Sequence, residues 1–252
     1  MNPLILISND DGYQSKGLEV LISVARQLGD VFVVAPDRPR SGASCSVTSD
    51  IPVSYSAIRQ EAGLQLYACT GTPADCVKLA LDQMLLRRPD LVLSGINHGS
   101  NASVNVHYSG TTAAATEAAL HGIPAIAFSS LNPDPRADLS ALAPFCSHIC
   151  ELVLSNDLPY ASFLNVNFPN TEDIRGIRVC RMAYSRWVDE FEPCQRGRGG
   201  NYFWLSGEQV DDEPESSDTD LWALSHDYVA ITPTSIDPTD RALMASMQDW
   251  DL

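Results

Sequence analysis

The chain has 252 residues, room for one large α/β domain or a domain with an appendage, and 44% of them are hydrophobic. Lysine and arginine total 16 against 32 aspartates and glutamates, a net charge of -16, which argues against a nucleic-acid backbone or an anionic membrane as the main partner. No apolar run approaches the ~18 residues of a membrane span, no basic segment leads into an apolar one at the start, and the seven cysteines form no Cys-x-x-Cys pair, so buried thiols in the cytoplasm are expected.

The first predicted element is the apolar run Leu4-Ile5-Leu6-Ile7, read as a buried strand of a parallel sheet. It runs into Ser8-Asn9-Asp10-Asp11-Gly12. Open α/β sheets place ligands where strands end, and two adjacent carboxylates repel each other unless a cation or a proton intervenes. A divalent metal is one reading; a turn is the other, since Asn-Asp-Asp-Gly is also turn chemistry. Leu18, Leu21, Ile22, Ala25 and Leu28 follow at helical spacing, with Gly29 as a stop. Val31 to Ala35 is a second strand, which completes a right-handed βαβ unit. The loop from Pro36 to Ser44 leaves it at the same edge as Asp10 and Asp11, and it carries Ser41.

Ser46 to Ala57 and Leu64 to Cys69 read as a short antiparallel insertion. Thr72 caps the next helix, with Pro73 in its first turn. Pro89 to Ser94 is a third core strand, ending in Gly95-Ile96-Asn97-His98-Gly99. Tyr108-Ser109-Gly110-Thr111 then opens a small-residue helix, whose start is either an anion site or an ordinary Ser/Thr cap. Gly122 to Ser129, Phe163 to Pro169, Ile177 to Met182 and Tyr228 to Thr232 read as strands. Leu139 to Leu154 and Pro238 to Met247 read as helices. Cys146 and Cys150, one turn apart, read as core packing. Trp187 to Phe191 and Tyr202 to Leu205 flank Arg196-Gly197-Arg198-Gly199-Gly200, a long hairpin. Its aromatics need a surface, either another subunit or its own core. Glu208 to Asp220 reads as an acidic loop. The expected division is a core over 1–182, with the arm, last strand and C-terminal helix over 183–252 serving oligomerisation.

Asn9-Asp10-Asp11, Ser41 and Asn97 therefore converge on one rim, and all offer oxygen. Such a set suits Mg²⁺, Mn²⁺ or Ca²⁺. A hard cation beside an anion-binding helix start is a phosphate site, where a metal can clamp a phosphoryl oxygen and activate water. The glycine fingerprint of dinucleotide binding, the P-loop and the Gly-x-Ser-x-Gly elbow are missing from the sequence. His98 and His107 bracket the rim, either as proton donors or as solvated loop residues.

Several stretches together resemble the SurE family of stationary-phase survival proteins. They are Ile5 to Gly12, Val33 to Gly42, Gly71 to Val77, Ser94 to Asn97 and Tyr108 to Thr111, with Asn165-Val166-Asn167, Ser217 to Asp220 and Ile231-Thr232-Pro233. They occur in family order across almost the whole chain. The resemblance implies a Rossmann-like α/β fold with a projecting C-terminal hairpin arm, and a metal-dependent nucleotidase and acid phosphatase acting on nucleoside monophosphates. It implies metal ligands at Asp10, Asp11, Ser41 and Asn97, with one Mg²⁺ or Mn²⁺ per subunit. It also implies phosphate contacts from Asn97, Ser109, Gly110 and Thr111. Catalysis would fall to Asp10, Asp11 and Asn97, through attack by water or by Asp10 itself. A cytoplasmic homodimer or homotetramer built by exchanged arms is implied too. Between Gly99 and His107 the chain departs from the family, having lost its acidic residues and gained His107, which bears on substrate preference. The alternative reading is a non-catalytic nucleotide or phosphate sensor of the same fold.

Overall fold

The computed structural model describes residues 2–194 and 200–250. In chain order its main elements begin β1 Leu4–Ser8, α1 Lys16–Leu28, β2 Asp30–Pro36, β3 Tyr55–Glu61, β4 Leu64–Cys69, α2 Pro73–Leu79 and β5 Leu91–His98. Then come α3 Gly110–Leu120, β6 Ala125–Ser130, α4 Ala143–Ser155, β7 Ser162–Phe168 and β8 Gly176–Val179. The C-terminal part holds β9 Ser185–Val188, β10 Phe191–Cys194, β11 Tyr202–Leu205, β12 Glu208–Asp211, α5 Asp220–Ser225, β13 Tyr228–Ser235 and α6 Arg241–Ser246.

A nine-stranded sheet runs β3-β4-β2-β1-β5-β6-β7-β13-β8. From β4 through β7 every neighbouring pair is parallel. Taken in chain order, these six strands have the doubly wound arrangement 3-2-1-4-5-6, so the strand order reverses between β1 and β5. A crevice outside the carboxyl ends of the strands at such a reversal is where this topology takes ligands.

The continuous apolar run of β1 follows from burial on both faces. Ile5 and Ile7 pack with Leu18, Leu21 and Ile22 of α1 and with Cys146, Ile149 and Cys150 of α4. Leu6 faces the other way, toward Val77 of α2 and Ala114, Ala115 and Ala118 of α3. Burial raises the Cys146 and Cys150 thiols well into the protonated range, as expected for packing residues. Along α1 the backbone approaches β5 closely: a Cβ on Gly17 would lie 2.0 Å from the Ile96 carbonyl oxygen.

Three expectations are corrected. The segment Leu64 to Cys69 is not part of an insertion: β4 is a core strand parallel to β2, and only β3 is the antiparallel edge. Leu64, Leu66 and Ala68 are buried there, in a strand whose intervening Gln65 is exposed. Residues 46–54 form no strand; Thr48 is held instead by Asp75, and Ser54 by Thr70. Residues 208–211 are not loop, because β12 pairs antiparallel with β9. The arm is therefore longer than expected, a β9–β12 ladder continued by the β10–β11 ladder. Its turn at residues 196–199 lies outside the described residues. Beyond the arm the chain re-enters the main sheet, where β13 runs antiparallel to β7 and parallel to β8. Among the described residues, no helix is long and apolar enough to cross a membrane.

Candidate metal and phosphate site

The link from β1 to α1 is both a turn and a site, divided between its residues. Asn9 makes the turn: its Nδ2 donates to the Gly12 carbonyl (2.9 Å) and to Ser15 Oγ (2.8 Å). Ser15 in turn caps α1 by accepting from the Leu18 N–H. Gly12 takes a φ of +93, a region that favours glycine. The two carboxylates that follow Asn9 take no part in the turn. Asp10 is 4% exposed.

The start of α3 meets Asp10 directly. Thr111 Oγ1 donates to Asp10 Oδ1 at 2.6 Å, across 101 positions of sequence. Gly110 permits the approach, since a Cβ there would stand 2.9 Å from the Asp10 Cβ. Ser109 is the N-cap, its Oγ accepting from the Thr112 N–H. From β5, the His98 N–H points at Asp11 Oδ2 (3.4 Å), which sets Asn97 and His98 beside the second carboxylate. The β5–β6 register shifts between Ser94 and Asn97, so that Asn97 pairs with Ser129 and His98 with Ser130.

A buried amide network fixes the stretch after β5. Asn97 Nδ2 donates to the Gly99 carbonyl (2.9 Å) and faces Asn101 Oδ1 (3.4 Å). The Asn101 N–H donates to Asn167 Oδ1, Asn101 Nδ2 donates to Ser129 Oγ, and Asn165 Nδ2 donates to the Asn101 carbonyl. This accounts for Asn165 and Asn167, the β7 amides among the matching stretches: they anchor the Asn97 loop from below. No described group donates to the Asn97 Oδ1 atom.

The loop that carries Ser41 is stitched across the same edge. The Arg40 N–H donates to the Asp10 carbonyl (2.7 Å), and its guanidinium reaches the Thr70 carbonyl. Further on, the Ser44 N–H and Oγ donate to the carbonyls of Tyr108 and His107. Ser41 is exposed and makes no hydrogen bond among the described residues. His107 presents only its backbone to this edge, and its side chain is exposed.

The electrostatics are those of a site lacking positive charge. Burial raises Asp10 to about 6, with the Thr111 hydrogen bond opposing and the Asp11 charge adding to the rise. Burial also raises Asp11, against the hydrogen bond from His98. Arg40, the cation on the loop, has its guanidinium turned to Thr70 and, at 3.8 Å, to Asp37. Burial lowers His98, which therefore adds no proton charge near neutral pH. Among the described residues, no three His, Cys, Asp or Glu side chains gather as a metal cluster. What gathers is two carboxylates with hydroxyl and amide oxygens nearby, a donor set that fits a hard divalent cation.

Gly110, expected from the resemblance as a phosphate contact, also lets α3 touch Asp10. One contributor has no role legible in the sequence. Asp220 is fully buried and accepts from the N–H groups of Ser103 (2.8 Å) and Ala183 (3.0 Å). It thereby joins the loop ahead of α3 to the root of the arm. Its sequence signals are its place in the matching stretch Ser217 to Asp220 and its position directly after the helix-capping Thr219.

The model of the survival protein SurE family matches residues 5–189. A protein of Phocaeicola vulgatus named 5'-nucleotidase SurE is 51% identical over 250 residues, covering 99% of this chain and 97% of its own. One of the same name from Bacteroides fragilis is 48% identical, covering 99% and 98%. The crystal structure of the SurE protein from Aquifex aeolicus superposes with a TM-score of 0.83 at 36% identity, over 98% of both chains. With the doubly wound sheet, its projecting arm and paired carboxylates at the strand reversal, the chain belongs to the SurE family.

Proposed function

We propose that this chain is a metal-dependent 5'-nucleotidase, a phosphomonoesterase that releases phosphate from nucleoside monophosphates. Relatives bearing that name at 48–51% identity over nearly the full length support the reading. The observation that carries it is the Asp10–Asp11 pair: one buried and one half-buried carboxylate, both with raised pKa, no cation of their own, and a helix N-terminus against the buried one.

Asp10 and Asp11, with Ser41 and Asn97, are the residues that would hold one Mg²⁺ or Mn²⁺. When bound, such a cation neutralises phosphoryl charge and makes water a better nucleophile near neutral pH. The protein's own groups supply the rest. Thr111 fixes the rotamer of Asp10 and favours its ionised form. Gly110 lets α3 approach, so that the helix start and its partial positive charge face the phosphoryl oxygens. Ser109, whose hydroxyl is spent on the cap, would contribute through the backbone of that first turn. Asn97, anchored by its own Nδ2, keeps Oδ1 available. Asp10 is almost fully buried with one oxygen held by Thr111, which suits a ligand better than a nucleophile that must travel to phosphorus.

The test is phosphate release from a panel of nucleoside monophosphates with Mg²⁺, with Mn²⁺ and with EDTA. Metal-dependent release is expected. Tight nucleotide binding without release under every metal would favour the non-catalytic sensor instead.

The arm is proposed to serve assembly. Phe191, Phe203 and Leu205 on one face of the β10–β11 ladder, and Trp204 on the other, are 56–72% exposed, apolar surface of the kind that marks an interaction site. A homodimer or homotetramer formed by exchanged arms would cover it. Sedimentation of a Phe203→Asp, Trp204→Asp double variant should show smaller particles than the wild-type chain. Unchanged sedimentation would remove the arm from the assembly.

A further inference from the structure

We infer that the root of the arm, together with Tyr108, forms the subsite for the nucleoside part of the substrate. The inference rests on the nucleotidase reading above and extends it to residues that the phosphate chemistry does not involve.

A cavity of about 480 Å³ lies between the loop ahead of α3 and the arm, lined by Tyr108, Trp187, Glu190, Leu205 and Ser206 among others. Its size is that of a small-molecule site. Its position is set by the chain: Tyr108 is the residue immediately before Ser109, the cap of the helix that touches Asp10. The Tyr108 carbonyl also accepts from the Ser44 N–H, so the loop that carries Ser41 borders it as well. A ligand with its phosphate at the α3 start would have this cavity next to it, across Tyr108.

The walls suit a base and a sugar. Tyr108 and Trp187 offer aromatic faces, and stacking on such faces is open to every nucleobase. The indole is not free to swing. Trp187 Nε1 donates to Asn105 Oδ1 (2.9 Å), Asn105 Nδ2 donates to Gln209 Oε1 (3.0 Å), and Gln209 Nε2 donates to Ser185 Oγ (2.9 Å). A ring locked in this way loses little freedom when a ligand arrives. Ser206 Oγ is buried with no hydrogen-bond partner among the described residues. The Glu190 carboxylate can accept from ribose hydroxyls or an exocyclic amine, and its charge opposes a phosphate in the cavity. That sets the orientation, with the nucleoside between arm and loop and the phosphate at the carboxylate pair.

The test compares a nucleoside 5'-monophosphate with glycerol phosphate, which has no base. Trp187→Leu and, independently, Tyr108→Leu should raise KM for the nucleotide about ten-fold or more and leave KM and kcat for glycerol phosphate as in wild type. Trp187→Phe keeps an aromatic face but loses the Nε1 bond to Asn105, so it should fall between wild type and Trp187→Leu. Circular dichroism and sedimentation establish that each variant keeps its fold and assembly. Equal losses on both substrates, or no loss on either, would overturn the subsite. If the wild-type chain hydrolyses neither substrate, the nucleotidase reading fails by itself, and equilibrium dialysis with the nucleoside monophosphate decides the subsite. Binding that weakens in both leucine variants supports it; binding unchanged from wild type overturns it.

Discussion

Asp10→Asn should nearly abolish turnover while making the metal-free protein more stable. The loss of activity follows from removing one of two carboxylates that would hold the cation, and about 10²–10³-fold in kcat is the scale for losing one electrostatic group in such a site. The gain in stability follows from burial. Asp10 moves from an ordinary 3.8 to about 6 in the folded chain. A folded-state pKa above the unfolded one means that the fold binds the proton more tightly. Stability is then fully present below about pH 4 and is lost as pH rises toward and past 6. At about 1.4 kcal/mol per decade, keeping Asp10 ionised costs the metal-free fold about 3 kcal/mol at neutral pH. Asparagine carries no such cost, and its Oδ1 can still accept from Thr111. In EDTA at pH 7.5 the variant should therefore melt about 6–12 °C above wild type, and the gap should close by pH 4. Saturating Mn²⁺ should reverse the order, since a ligand stabilises only the state that binds it. A variant that melts at or below wild type in EDTA at pH 7.5 would show that Asp10 is not held ionised at a cost. Undiminished turnover would remove it from the site.

Much of this arrangement is legible in the sequence because it is local. An apolar run ending in Asn9-Asp10-Asp11, and another ending in Gly95-Ile96-Asn97, place oxygen-bearing side chains at strand ends. What periodicity cannot reach is long-range pairing. Leu64-Gln65-Leu66-Tyr67-Ala68-Cys69 alternates like an ordinary hairpin strand, and only its register with β2 makes it part of the core. Glu208-Gln209-Val210-Asp211 has little intrinsic preference for strand and is held by β9. The same limit applies at the site. Thr111 reads as a phosphate-binding hydroxyl, yet in the fold that hydroxyl is spent on Asp10, a partner 101 residues away. The division of Asn9-Asp10-Asp11-Gly12 into a turn-making amide and two site carboxylates is likewise invisible until Ser15 and the Gly12 carbonyl are in place.

The second large effect is expected far from the chemistry, at Asp220. This carboxylate is fully buried, and its two long-range bonds, to the N–H groups of Ser103 and Ala183, join the loop ahead of α3 to the chain that leads into the arm. Burial raises its pKa, against the hydrogen bonds from Ser103, Ala183 and Leu221. Removing the side chain acts in two directions. It relieves the burial of a charge, and it leaves two buried N–H groups without partners, each costing about 1–3 kcal/mol. The second effect is larger, because those groups belong to backbone packed too tightly to turn toward water: Ser103 is fully buried at a φ of +54, and Ala183 is fully buried. Asp220→Ala should therefore destabilise by about 3 kcal/mol and lower the melting temperature by about 6–12 °C. Asp220→Asn separates the two parts. It keeps one oxygen for Ala183 but sets an amide donor against the Ser103 N–H, so it should fall between wild type and alanine. Hydrogen exchange should speed up in residues 103–107 and 183–188 of both variants, before any change in β1 or β5. A melting temperature within about 1 °C of wild type for Asp220→Ala would mean that the loop and the arm root are held by other contacts.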